Sequence, residues 1–181
     1  MPNWSESLAT IDFITALGRV LRDGVLRDAF VSDPLALARR IGLRECDQPL
    51  FLQLDPVDLE FQARVLLRKR FDSVRPALPR TCGQLGAQAR SEFHGYARLR
   101  WPAPENQVPE DVFGFCQHLH RSRPGSVCPL GWNRARFACG RRRFAVHWVK
   151  AMPFRGRPGV QLLLRFRSGQ RHEWQVWFDG F

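Results

Sequence analysis

The chain is poor in lysine: of its 28 basic residues, only Lys69 and Lys150 are not arginine. It also lacks any run of about 18 apolar residues, so no segment has the pattern of a membrane-spanning helix. The opening stretch MPNWSESLATIDF has no basic start followed by a continuous apolar block, which argues against a secretory signal. The five cysteines (Cys46, Cys82, Cys116, Cys128 and Cys139) are odd in number, widely spaced and free of any Cys-x-x-Cys pair. They read as reduced thiols in a cytoplasmic protein. A phosphate-binding glycine loop, a serine nucleophile elbow and a His-Glu-x-x-His helix are all missing.

Acidic residues are scarce in one part of the chain. Residues 1–122 carry 16 Lys/Arg and 15 Asp/Glu, while residues 123–181 carry 12 Lys/Arg against only Glu173 and Asp179. Ten of the eleven net positive charges therefore lie in the final stretch. The same border is marked by SRPGSVCPLGWN (122–133), whose Pro124, Gly125, Pro129 and Gly131 read as a loop. The expected organisation is a helical module over 1–122, a linker over 123–135 and a basic sheet module over 136–181.

The first module has helical spacing throughout. Ile11, Ile14, Leu17 and Leu21 share one face. Leu26, Ala29 and Phe30 suit a second helix. Asp33-Pro34 and Asp55-Pro56 each read as an N-cap followed by a first-turn proline, with Gly42 closing the helix that starts at Pro34. The helix from Asp55 runs to about Arg75. It is apolar on two sides (Val57, Phe61 and Val65; Leu59, Ala63 and Leu66), so a central place in a bundle is expected. Further helices are expected at about 79–85, 87–98 and 109–120. In the second module the period changes to two, the strand signal. Phe144, Val146 and Trp148 alternate with more polar positions, as do Val160, Leu162, Leu164 and Phe166, and then Trp174, Val176 and Phe178. Ser168-Gly169 supplies a tight turn. The expected fold is α+β, a helical bundle followed by a three- to four-stranded antiparallel sheet, with an extra strand around Arg136–Cys139. The apolar sheet face should pack on helices, leaving His147, Arg165, Arg167, Glu173, Gln175 and Trp177 toward solvent.

Chemistry-bearing groups are few. Cys116 and His120 lie at i, i+4 in the run Cys116-Gln117-His118-Leu119-His120, and zinc takes such ligands. No finger or ribbon spacing accompanies them, and Cys116 falls on the apolar register of Val112, Phe113 and Leu119. A buried structural cysteine is the favoured reading. Asp58 and Glu60, and likewise Glu110 and Asp111, sit in first turns, where the helix dipole accounts for them. No catalytic and no metal-binding residue is assigned. The candidate binding set is Arg141, Arg142, Arg143, His147, Arg165, Arg167, Arg171, Gln175 and Trp177. Two readings compete for it: an acidic peptide added to a sheet edge, or a nucleic acid held by arginines with tryptophan stacking.

The stretches LGRVLRDGVLRDAFVSDPLALARRIGL (17–43) and LDPVDLEFQARVLLRKRFDSVRPALPRTCGQLGAQARSEFHGYA (54–97) resemble the small partner subunits of multinuclear non-haem iron oxidases. The part from Val74 to Leu85, with Pro76, Pro79 and the Leu85-Gly86 pair, carries most of the likeness. Those oxidases modify ribosomally made precursor peptides, as in methanobactin and 3-thiaglutamate biosynthesis. The resemblance implies a non-catalytic subunit that forms a heterodimer with the oxidase. It would hold the precursor's leader as an added strand and present the peptide for modification at a cysteine near its C-terminus. It implies no cofactor in this chain, the iron lying in the partner enzyme. The basic sheet departs from the pattern and is rationalised by an acidic leader.

Overall fold

Both Asp-Pro pairs start helices, as their chemistry predicts. The Asp33 carboxylate accepts from the Ala36 N–H at 2.9 Å and the Asp55 carboxylate from the Val57 N–H at 2.7 Å. The computed structural model describes residues 10–103, 107–140, 142–150, 158–166 and 170–178. The described elements are α1 (Phe13–Arg22), α2 (Gly24–Ser32), α3 (Pro34–Arg40), α4 (Gln48–Leu52), α5 (Pro56–Val74), α6 (Pro79–Leu85), α7 (Gln88–Ala97), α8 (Gln107–Ser122), α9 (Pro129–Cys139), β1 (Phe144–Val149), β2 (Gly159–Arg165) and β3 (Arg171–Trp177). The protein is thus mostly helical, with a three-stranded antiparallel sheet following the helices, as expected. The Ser168-Gly169 turn lies outside the described residues.

The chain divides into two compact units, Met1–Lys69 with Ala97–Trp101, and Arg70–Tyr96 with Pro102–Phe181. This border differs from the expected one at residue 122, because helices after Arg70 belong with the sheet.

In the first unit α1 to α4 and the start of α5 enclose Ala16, Val20, Phe30, Leu37, Ala38, Leu43, Phe51 and Leu59. Phe30 and Phe51 meet edge to face at 5.2 Å. Asp23 ends α1 and its carboxylate also caps α2, accepting from the Val25 N–H. Gly42, with φ of 73°, follows the end of α3 in the left-handed region that favours glycine. The expected face of α1 is shifted: Ala16 and Val20 are buried while Ile14 is exposed. On α5 the two apolar sides are unequal. Leu59, Ala63 and Leu67 are buried, Leu66 is only half-buried, and Val57 and Phe61 are exposed.

The second unit has an aromatic centre in which Phe93 packs on Phe71, Tyr96 and Phe115 at 5.3–5.8 Å. Beside it, buried Arg70 forms a two-pronged ion pair with buried Asp111, at 3.0 and 2.6 Å. Asp111 is therefore an interior partner rather than a first-turn ornament.

The stretch expected as a linker ends in a helix. Pro129 occupies its first turn, where the missing N–H costs nothing. A Cβ on Gly131 would come within 3.1 Å of the Leu78 side chain, so this glycine marks close packing rather than a loop. The extra strand expected at Arg136–Cys139 is the last turn of α9.

Candidate functional site

The sheet order is β1-β2-β3, so β1 and β3 are its edges. Its register aligns Phe144 with Leu164 and His172, Val146 with Leu162 and Trp174, and Trp148 with Val160 and Val176. These residues, with Phe166 and Phe178, share one face, and that face is open: Trp148 is 60% and Trp174 49% exposed. Trp148 stacks on Phe178 at 5.5 Å and Trp174 on His172 at 5.7 Å.

The opposite face packs on α9. This reverses the expected orientation, and the physical reason is a set of polar matches between helix and sheet. Fully buried Gln161 donates to the Leu130 carbonyl at 3.1 Å and to Glu173 at 3.0 Å, and accepts from Asn133 at 3.1 Å. Arg134 Nε donates to Glu173 Oε2 at 2.6 Å. Arg165 donates to the Phe137 and Ala138 carbonyl oxygens at the end of α9, with its guanidinium over the Phe137 ring. A cation there satisfies orphan carbonyls and opposes the helix dipole.

The candidate binding residues consequently separate. Arg142, Arg143 and Arg171 are exposed, and their side chains form no ion pair among the described residues. Exposed Lys150 is in the same position. His147 is half-buried on the α9 side, and burial, then Arg136 and Arg142, lower its pKa. Arg165 is taken up by α9. Gln175 is half-buried and donates to Glu173 at 2.6 Å. Trp177 is partly exposed and already engaged. Arg141 and Arg167 lie outside the described residues. Burial raises the Glu173 pKa, but the hydrogen bonds from Arg134, Gln175 and Gln161 outweigh it and leave the carboxyl below its ordinary value.

The edge of β1 was not singled out from the sequence. The Arg165 N–H donates to the Arg143 carbonyl at 2.8 Å. By the alternation of an antiparallel ladder, Ala145, His147 and Val149 also turn their backbone groups toward β2. Phe144, Val146 and Trp148 turn theirs outward, and no hydrogen bond among the described residues engages them. Strand alternation was legible, but which phase faced outward depended on the Arg143–Arg165 pair.

Cys116 is fully buried, and burial, with Cys82 and Cys128 nearby, pushes its thiol up to about 12. His120, its i+4 neighbour, stacks on Trp132 at 5.7 Å. Among the described residues no three His, Cys, Asp or Glu side chains gather as a metal site. An open groove of about 800 Å³ lies over Phe71, Pro76, Pro79 and Cys82, with Arg75 and Arg90 on its lining. No described helix is long and apolar enough to cross a membrane.

Residues 52–121 match the family model described as SCO6045-like, C-terminal domain. The stretch runs from the end of α4 to α8 and includes the groove but not α9 or the sheet. No curated protein and no solved structure matches the chain.

Proposed function

We propose that the chain is a non-catalytic peptide-recognition subunit. It takes up an extended segment of a ribosomally made precursor by strand addition at β1 and presents the peptide to a multinuclear non-haem iron oxidase. The observation that carries this reading is the outward backbone of Phe144, Val146 and Trp148, which no hydrogen bond among the described residues engages. A row of free N–H and C=O groups is a template for another strand. Arg142, Arg143 and Lys150, which form no ion pair among the described residues, flank it and favour an acidic segment. Exposed Val57 and Phe61, one turn apart on α5, offer apolar surface on the helical part for docking to the oxidase. The iron and the redox chemistry belong to that partner, and the modified cysteine to the peptide.

Calorimetry with the full chain and the precursor encoded beside the oxidase tests the reading. A proline scan of the peptide should reveal one short intolerant segment, because proline lacks the ladder donor. Binding should weaken only modestly with salt. Contact with duplex DNA falls roughly 10³–10⁵ between 50 and 200 mM salt for a multi-contact protein. No peptide binding, with a DNA duplex bound on such a slope, would replace this reading with nucleic-acid binding.

A further inference from the structure

The strand-addition reading leaves open what kind of segment fits, and the edge of β1 is specific on that point. Directly opposite residues of an antiparallel pair place their side chains on the same face. A strand added to β1 would therefore set its own alternate side chains beside Phe144, Val146 and Trp148, on the open apolar face. Trp148 is already stacked on Phe178, so that face offers aromatic surface immediately next to the incoming chain. The intervening side chains would project on the other side, alongside Ala145 and His147.

Both ends of β1 are cationic. Arg142 and Arg143 precede or adjoin its first residue and Lys150 follows its last. All three are exposed, and none forms an ion pair among the described residues. The described acid in the sheet, Glu173, is already held by Arg134, Gln161 and Gln175. Among the described residues no carboxylate pairs with these three cations, and an incoming chain can bring such groups.

A second copy does not supply them. Two-fold antiparallel pairing of β1 with itself about Val146 sets Arg142 of one copy opposite Lys150 of the other, at both ends. Like charges opposed in this way disfavour pairing.

Resting on the strand-addition reading, we infer that the segment recognised at β1 is an extended run matching that strand's six residues. It carries apolar side chains at three alternate positions and a carboxylate at each end.

Three synthetic peptides of about nine residues test this against the full chain, by fluorescence anisotropy at 50 and 200 mM salt. The first alternates isoleucine and threonine between aspartates. The second has the same composition with the isoleucines in one block. The third alternates but ends in lysines. The first should bind about tenfold tighter than either of the others. Val146→Asp should abolish that preference, and Trp174→Ala, on the far strand, should leave it intact. Should Val146→Asp fail to fold, Lys150→Glu provides the second variant; it should weaken the first peptide and strengthen the third. Equal binding of all three peptides, with a central proline still abolishing it, would overturn the pattern and leave strand addition standing. Loss of binding to all three, with a single-stranded oligonucleotide bound instead, would overturn both. A β1-dependent dimer lost in Val146→Asp would overturn the pattern in favour of self-pairing.

Discussion

Arg165 reaches from β2 to the end of α9, where its Nη2 donates to the Phe137 carbonyl at 2.6 Å and to the Ala138 carbonyl at 3.0 Å. An arginine in a candidate binding set is thereby a brace between helix and sheet. Arg165→Ala should cost about 1.5–3 kcal/mol, the range for hydrogen bonds to a charged group. Arg142→Ala or Arg143→Ala, at exposed positions, should change stability by no more than about 0.5 kcal/mol. Urea unfolding of the three variants checks the contrast.

The buried line of α5 gives a second expectation. Leu67 is 6% exposed, whereas its neighbour Leu66 is half-buried. Leu67→Ala should cost about 2–5 kcal/mol and Leu66→Ala distinctly less. Denaturant curves with Leu66→Ala as the more damaging variant would contradict the helix register.

Glu173 gives a pH dependence. Its folded pKa lies below the ordinary value of 4.5. Its contribution is therefore fully present above about pH 4.5 and is lost as pH falls through the depressed folded value. Glu173→Gln should flatten that part of the acid limb in thermal melts between pH 5 and about 3. An unchanged acid limb would mean that the Arg134–Glu173 bond is not maintained in solution.

Much of the helical part was readable because its signals are local. Asp33-Pro34 and Asp55-Pro56 carry their caps within three residues, and the strands announced themselves by alternation. α9 was missed because Pro129 and Gly131 resemble loop residues until their roles are known, one in a helical first turn and the other against Leu78. That omission also reversed the sheet. Without α9 nothing matches Gln161 and Glu173, so the alternation alone points polar residues to solvent and apolar ones to the core. Asp111 likewise needed Arg70, 41 residues away, to reveal its place. The candidate edge depended on a single long-range hydrogen bond, from Arg165 to Arg143.

Amide hydrogen exchange resolved by residue, on the full chain with and without the acidic alternating peptide, reads strand addition at β1 directly. An added strand gives acceptors to outward N–H groups on β1 and to none on β3. New protection is expected at Phe144, Val146 and Trp148, with Arg171, Glu173 and Gln175 unchanged. Protection confined to β3, or no change at β1 with peptide bound, would contradict it.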